Sequence, residues 1–303
     1  MKIQYLTYLQ IDKLKWDSCI TWAGNSLIYA ESFYLDSMAK NWDALILGDY
    51  EAVMPLTFNK KYGVYYLYQP FFTASLGIFG NNISAELTDN FLQAIPEKFK
   101  YFDIYLNYRN HFKLEHFKLY ERMNFVLSLQ ESYEKIYQHY RDNIKRNIKK
   151  SIQLQVKIKQ NIPIEAVLLL ATEQSRSFAD IEEIHFQNFK KVFDHYNQHN
   201  KAYTYGVYAP NGQLVSSCAF LISNNRAYYI LVGNHPDGKA FGASHALINA
   251  FIKDNAGKNL LLDFEGSDIP SLAFFYSSFG AVEEKYAGLK LNRLPFWMKW
   301  FKD

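Results

Sequence analysis

The sequence predicts an α/β (α+β) fold in two tandem domains, each a mixed, mostly antiparallel sheet flanked by helices. Three observations support this prediction. The 303 residues exceed what a single hydrophobic core usually uses. The second half repeats the order of helices and strands predicted for the first half, and short polar turns separate neighbouring strands. We therefore expect one domain over residues 1–130 and another over residues 131–303.

The periodicity of apolar residues predicts the elements of the first half. We expect a strand at 2–6, helices at 12–23 and 31–40, and strands at 43–47, 51–58 and 64–68. An aromatic loop then leads to a helix at 85–100 and to strands at 102–107 and 124–129.

The same patterns predict the second half. A long helix at 132–152 precedes a strand at 154–159, helices at 163–178 and 182–199, and strands at 203–208, 213–222 and 227–232. A helix at 243–255, a strand at 260–264, a helix at 269–278 and a strand at 281–291 complete it. The hairpin turns are Pro210-Asn211-Gly212 and Asn224-Asn225.

Composition narrows the function classes. A net charge of +3 does not indicate a nucleic-acid protein, and we expect no DNA partner. The two cysteines, Cys19 and Cys218, are far apart, and no His/Cys cluster has metal-ligand spacing. We therefore expect no metal and a reducing compartment. The 24 Tyr and 24 Phe residues indicate either thick aromatic cores or an aromatic-lined cleft.

No stretch of the chain reaches the length of apolar sequence that a membrane span needs, so we expect no transmembrane segment. The first residues lack a sustained apolar run, so no signal peptide is evident. The cytoplasm is the expected location.

A glycine-containing basic loop opens the predicted helix at 243–255. Lys239 supplies a cation, Gly242 permits close approach of the backbone, and Ala243 and Ser244 begin the helix. Backbone N–H groups and the helix dipole can bind a pyrophosphate there. The edge of the preceding strand, at Val232, would orient the rest of a phosphorylated carrier. The alternative is an ordinary helix start.

Two carboxylates and a tyrosine follow the next strand. Tyr276 can protonate a departing thiolate, and Glu265 can take a proton from an acceptor, with Asp263 as a second carboxylate. Ser267 is a candidate substrate contact. The alternatives are that Tyr276 only covers the core and that these polar residues cap the helix at 269–278.

The corresponding loop of the first half, residues 69–82, contains no Lys or Arg. A pyrophosphate bound there would lack a counter-charge, so we expect only the second half to hold the phosphorylated carrier that acts as donor. The uncharged polar groups of the first-half loop, Gln69, Thr73 and Ser75, are candidate contacts for the acceptor molecule. They could equally satisfy backbone turns.

The helix predicted at 132–152 has an apolar stripe and a basic face. Between Arg141 and Lys150 it carries five cations against one acid, Asp142. A solvated face explains this pattern, as does binding of a phosphate-rich donor, tRNA or anionic lipid.

The second half resembles the GNAT acyltransferase superfamily, specifically its tandem-domain BioF2-like and FemAB-like branch. The family's pyrophosphate loop reads Arg/Gln-x-x-Gly-x-Gly/Ala, and this chain has Lys239-Ala240-Phe241-Gly242-Ala243-Ser244, with Lys and Ser as departures. Tyr276, Phe279 and Gly280 match the Tyr-x-x-apolar-Gly ending of the family's following helix. The segments 140–150 and 263–267 resemble the FemAB-like branch.

This resemblance implies a GNAT-like N-acyltransferase with acetyl-CoA or another acyl-CoA as co-substrate. The acceptor would be an amine on a small molecule or on a cell-wall or lipid precursor, bound in a groove between the domains. One alternative is a FemAB-like transferase that takes its donor from aminoacyl-tRNA and extends a peptidoglycan precursor. Another is a non-catalytic, degenerate tandem GNAT protein that only binds a ligand. The tail at 294–301 could pack back on the first domain or lie at a membrane surface.

Overall fold

The structure is a computed structural model that describes residues 2–110, 113–176, 181–266 and 268–294. The chain forms two compact units. The first unit comprises residues 1–123 and the described residues from 285 onward, and the second unit comprises residues 124–284. Ser267 and the C-terminal tail beyond Leu294 lie outside the described residues, so their predicted contacts remain predictions.

Most element bounds lie close to those predicted. The strands are β1 Ile3–Leu6, β2 Trp42–Leu47, β3 Ala52–Lys61, β4 Val64–Tyr68, β5 Phe79–Gly80, β6 Phe99–Tyr105, β7 Tyr120–Ser128, β8 Lys157–Gln160, β9 Ala202–Tyr208, β10 Leu214–Ser223, β11 Arg226–Asn234, β12 Leu261–Asp263 and β13 Val282–Asn292. The helices are α1 Lys13–Trp22, α2 Ser32–Met38, α3 Ala85–Gln93, α4 Tyr133–Gln138, α5 Asp142–Gln153, α6 Ile164–Ser175, α7 Glu183–Gln198, α8 Gly238–Phe241, α9 Ala243–Asn255 and α10 Pro270–Ser277.

Two predicted helices differ from the structure. The helix expected at 85–100 ends at Gln93, because Pro96 cannot donate a backbone hydrogen bond and the chain then enters β6. The prediction of a single helix at 132–152 is wrong. The chain is interrupted there between α4 and α5, where the N–H of Arg141 donates to the carbonyl of Ser278 at 2.9 Å. A tertiary contact therefore decides the break.

The two units have sheets of the same topology. In the first unit the strand order is β1-β2-β3-β4-β6-β13, with β5 beside β3, and in the second it is β8-β9-β10-β11-β12-β7. Only β4·β6 and β11·β12 are parallel among the pairs described in each unit. The predicted fold, two tandem mixed sheets flanked by helices, is confirmed.

The last strand of each sheet comes from the other side of the domain boundary predicted at residue 130. Gly288 to Asn292 of β13 pair with Tyr105 to Tyr101 of β6, so the described end of the chain completes the first sheet. Residues 126–128 of β7, which precede the expected boundary, pair with β12 of the second unit. The prediction had placed both segments in the other domain.

Aromatic side chains fill both cores, which explains part of their abundance. In the first unit the core contains Phe91, Phe99 and Phe102, all fully buried. In the second unit Phe220 of β10 stacks on Phe251 of α9 with ring centroids 3.7 Å apart. Burial of such rings is the main favourable contribution to folding here.

Three buried asparagines fix the loop that follows β4. Asn110 Oδ1 accepts the N–H of Ile78 at 2.9 Å and that of Asn107 at 3.3 Å, and Asn110 Nδ2 donates to the carbonyl of Ile78 at 3.0 Å. Asn25 donates to the same carbonyl at 2.8 Å and accepts the N–H of Gly80. Because a buried backbone group needs a partner, these amides hold the loop in one conformation.

This network gives a stability prediction. Asn110→Ala leaves the N–H groups of Ile78 and Asn107 buried without their acceptor, so it should lower the free energy of unfolding by about 1–3 kcal/mol for each group left unpaired. Asn90→Ala, at an exposed position of α3, should stay within about 0.5 kcal/mol of the parent. Urea unfolding of both variants provides the measurement. Equal stabilities would contradict the role of Asn110.

Candidate functional site

Strands β11 and β12 part before β11 ends. Their parallel register runs only from Arg226↔Leu261 to Tyr228↔Asp263. β12 stops there after three residues, while β11 continues for a further six to Asn234. Within the described part of the chain, this last stretch of β11 has a strand partner on the β10 side alone. One edge of β11 is therefore available to an extended ligand.

A β-bulge marks the same place. Ala219 pairs with Leu231 and Phe220 with Tyr229, so Ile230 is an extra residue in β11. Beyond it, the N–H of Asn234 points away from β10 and donates to Gln174 Oε1 of α6 at 2.6 Å. Because alternate residues of a strand point the same way, the N–H of Val232 also faces the open edge. The predicted ligand contact at Val232 therefore has a donor aimed at the gap.

The first unit closes the equivalent gap with its own residues. After β4, Gln69 Oε1 accepts the N–H of Tyr105 at 3.2 Å, and the N–H of Leu76 donates to the carbonyl of Tyr105 at 2.9 Å. The loop thus occupies the end of β6. Gln69 Nε2 also donates to the carbonyl of Thr73 at 2.9 Å.

The acceptor residues predicted in the first unit hold this loop together. The hydroxyl of Thr73 lies 3.3 Å from the carbonyl of Phe71, and both Thr73 and Ser75 are buried. Gln69 is bonded within the loop, as described above. The geometry of Gln69 and Thr73 fits the alternative, satisfaction of backbone turns, and their role toward an acceptor stays a prediction.

A buried ion cluster fixes the end of β12. Arg226 Nε donates to Asp263 at 2.6 Å, and its terminal nitrogens bond Glu284. Asn124 Nδ2 donates to the other oxygen of Asp263 at 2.9 Å, and Asn124 Oδ1 accepts the N–H of Gly266 at 2.6 Å. The arginine and Asp263 side chains are 6% and 4% exposed, so the pairing compensates for their desolvation.

Asp263 has three hydrogen-bond donors in this cluster. Arg226 and Asn124 donate to it from their side chains, and the N–H of Glu265 donates to it at 2.8 Å. Burial opposes the charge of Arg226, but Asp263 and Glu284 outweigh it and raise the pKa of the guanidinium. Asp263 therefore holds the turn that carries Glu265, and its predicted catalytic role stays a prediction.

Glu265 has a strained backbone. Its φ of +67° is in the left-handed region, which a residue with a long side chain rarely adopts. The neighbouring Gly266 also has a positive φ, so the chain turns sharply after β12. Such strain persists only where surrounding contacts impose it, and it concentrates at functional sites. Here the bonds from Asp263 and Asn124 impose it.

Tyr276 lies beside this turn. Its ring stacks on Phe264 with centroids 4.7 Å apart, and Phe264 in turn contacts Tyr229 of β11 at 6.3 Å. Burial raises the pKa of Tyr276 to about 12, and the charge of Glu265 adds to the increase. The structure thus brings Tyr276 and Glu265 together beside the gap between β11 and β12, and their catalytic roles stay predictions.

The start of α9 has the left-handed glycine that the sequence indicated. Gly242 has φ +64°, ends α8 and precedes Ala243, the first residue of α9. A Cβ added to Gly242 would lie 2.8 Å from the carbonyl oxygen of Asn147 in α5. Glycine is therefore required for two reasons, backbone conformation and close packing on α5.

The other residues of this loop have different environments. Lys239 lies on α8 and is exposed. Ser244 Oγ donates to Asn234 Oδ1 at 2.7 Å, and Ser216 Oγ donates to the same oxygen at 2.7 Å. Ser244 therefore connects the start of α9 to the end of β11. The two predicted parts of the donor site are adjacent.

Sequence reasoning did not identify His245 as part of the site. It lies in the first turn of α9, and its ring contacts Phe275 edge-on at 4.9 Å, next to Tyr276 in α10. Burial lowers the pKa of His245 to about 4, so the imidazole is neutral at physiological pH. Its spacing from other histidines gave no signal, because its relevance comes from packing.

A cavity of about 350 Å³ in the second unit lies at Tyr205 and Asp254, and neither the 239–244 loop nor Tyr276 lines it. Among the described residues, no three His, Cys, Asp or Glu side chains form a group suited to a metal ion. The helices in the described ranges include none with the length and hydropathy of a membrane span.

Gly242 allows a matched test of the loop. Gly257→Ala meets only the left-handed backbone cost of about 1–2 kcal/mol, because nothing lies within 4 Å of the added carbon. Gly242→Ala should lower the free energy of unfolding further, since it also collides with Asn147. Thermal unfolding of the two variants compares them directly. A smaller loss for Gly242→Ala would contradict the packing described.

Comparison with known proteins finds similarity in structure. No family model and no curated protein matches the sequence. The chain is similar to FemX, at 11% identity and a TM-score of 0.66, over 95% of this chain and 97% of that one. It is similar to a conserved Bacteroides thetaiotaomicron protein of unknown function, at 13% identity and a TM-score of 0.60, over 93% and 97%.

A third similar structure is the C-terminal domain assigned to lysylphosphatidylglycerol synthetase in Agrobacterium fabrum. It is 8% identical with a TM-score of 0.52, over 93% of this chain and 92% of that one. At such identities the likeness concerns the fold. The resemblance to the FemAB-like branch is confirmed at that level, and the chain has the tandem GNAT-like fold.

Proposed function

We propose that the protein is an N-acyltransferase that moves an acyl group from acyl-CoA to an amine. The observation that carries this proposal is the unpartnered edge of β11, which runs between the start of α9 and the Tyr276–Glu265 pair. An extended pantetheine arm can add to a strand edge by backbone hydrogen bonds. The N–H of Val232 is positioned to donate the first of them.

The diphosphate of the donor would lie at the first turn of α9. Ala243 begins this helix of 13 residues, whose N-terminal amides and dipole favour an anion. Lys239 is exposed on the preceding turn and supplies the counter-charge. Asn234, held by Ser216 and Ser244, keeps the end of β11 and the start of α9 in register.

The reaction would proceed by direct transfer. The amine nitrogen attacks the thioester carbonyl, the C–S bond breaks, and the thiolate of CoA leaves. Tyr276, whose pKa burial raises further to about 12, is a neutral phenol at physiological pH and donates its proton to that sulfur. Glu265 accepts the proton released by the amine, directly or through water, and Asp263 fixes the turn that carries Glu265.

CoA binding is the first test. At 100 times its dissociation constant, CoA should add about 2.7 kcal/mol of stability, seen as a raised unfolding temperature. Gly257→Ala should respond as the parent does, whereas Gly242→Ala, which displaces the start of α9 from α5, should lose most of the response. No response of the parent to CoA or to any acyl-CoA would refute the donor assignment.

Tyr276→Phe separates catalysis from binding. Removing the phenolic proton should lower the rate of CoA release by about 10²- to 10⁴-fold with little change in donor affinity, because the ring packing on Phe264 is retained. Tyr205→Phe, on β9 at the separate cavity beside Asp254, is the control. Thiol release with a panel of amines measures the rate. An unchanged rate would mean that Tyr276 is not the acid.

The basic face of α5 favours a second candidate for the donor, aminoacyl-tRNA. Its buried residues are Ile144, Ile148 and Ser151, and Arg146, Lys149 and Lys150 are exposed on the other side. Such a basic face can bind phosphate backbone in a salt-dependent way.

Under this alternative, Arg146→Glu with Lys149→Glu should weaken tRNA retention at least tenfold. Lys60→Glu with Lys61→Glu, two exposed cations of the first unit, should not. Filter binding across a salt series measures retention. Equal retention by both variants excludes α5 as the tRNA site.

A further inference from the structure

We propose that the first unit has its own binding site for a phosphate-bearing small molecule, separate from the donor site of the second unit. The site is a cavity of about 450 Å³ beside β13, between the end of α3 and the segment 116–118. Residues that line it include Gln93, His116, Lys118, Lys290 and Arg293. The proposal does not depend on the acyltransferase function.

The lining of this cavity is cationic. Lys118 and Arg293 contribute basic side chains, and the residues that line the cavity include no Asp or Glu. Lys290 lies between Leu289 and Leu291 on β13 and opposite Asp103 of β6, so its side chain is on the other face of the sheet. Leu289 and Leu291 of β13 supply apolar wall. A cavity with basic side chains and one apolar wall suits an anion attached to a small organic group.

His116 is fixed by a buried carboxylate. Asp89 accepts hydrogen bonds from the backbone N–H of His116 at 3.2 Å and from Gln93 Nε2 at 2.8 Å, and it pairs with His116 Nδ1. The Asp89 side chain is only 7% exposed, whereas that of His116 is 51% exposed. Asp89 therefore holds the ring by Nδ1 and leaves Nε2 as the nitrogen that can contact a ligand.

The basic residues repel one another in the absence of a ligand. Lys113 and Lys118 face each other across an isolated antiparallel bridge, an arrangement of like charges that destabilises a strand pair. The acids nearby are Glu115, next to His116, Asp89 beneath it, and Asp103, which is opposite Lys290 on β6. An anion bound at Lys118 would offset this repulsion.

Phosphate is the anion that this set of side chains fits best. The guanidinium of Arg293 can donate two parallel hydrogen bonds to phosphate oxygens, and Lys118 adds a compact charge. His116 can donate a further bond from Nε2 when it is protonated, and Asp89 favours that form by raising the pKa of the imidazole. The same phosphate could come from a soluble molecule or from a lipid headgroup.

The test follows the imidazole signals of the full chain by NMR during titration with inorganic pyrophosphate at low ionic strength. His116→Gln identifies the signal of His116. That signal should shift and saturate in the parent and in Lys60→Ala with Lys61→Ala, two exposed cations elsewhere in the first unit. Lys118→Ala with Arg293→Ala should raise the dissociation constant by about tenfold or more.

A second arm distinguishes the sources of phosphate. Sedimentation with phosphatidylglycerol vesicles, compared with phosphatidylcholine vesicles, tests a lipid headgroup. Binding to either pyrophosphate or phosphatidylglycerol that is lost in the Lys118/Arg293 variant supports the site and names its source. A His116 signal that does not saturate, together with vesicle binding that is absent or equal in the two double variants, overturns it. Failure here leaves the CoA tests of the second unit unaffected.

Discussion

The candidate site depends on the buried cluster of Arg226, Asp263, Glu284 and Asn124. The cluster lies at Asp263, where β12 ends. Because β11 continues beyond the end of β12, the sheet of the second unit divides at that point. Removal of one partner would leave a buried charge uncompensated, which is why such clusters tolerate little change. The same bonds set the strained turn at Glu265. One cluster thus fixes the end of β12 and the position of the Glu265 carboxylate.

The two units show how one topology gives different surfaces. In the first, Gln69 and Leu76 bond to Tyr105 and fill the place where the second unit has an open edge. Asn25, Asn107 and Asn110 then immobilise that loop. In the second, a bulge at Ile230 is followed by N–H groups at Val232 and Asn234 that face away from β10, and a glycine at 242 lets a helix begin against α5. Loop chemistry, not sheet topology, distinguishes the surfaces of the two units.

Local sequence predicted most elements but not the contacts that couple them. The bounds of α9 and β4 agree with prediction because helix periodicity and a short aromatic strand are local signals. The break between α4 and α5 depends on the carbonyl of Ser278, distant in sequence. Asp263 was predicted as a second carboxylate because it lies two residues before Glu265. Its pairing with Arg226 in a cluster with Glu284 was not predictable, because those residues are far along the chain. Tyr276 and Glu265 both lie in the short segment between β12 and β13, which is a local signal.

The central claim is that the edge of β11 beyond Ile230 receives an extended acyl carrier. Hydrogen–deuterium exchange with and without CoA tests it most directly. In the free protein the amide of Val232 should exchange faster than those of residues 227 and 228, which lie between two strands. CoA should slow exchange at Val232 and at residues 243–245 and leave β9 unchanged. Protection that is absent from these amides, or confined to other segments, would contradict the account.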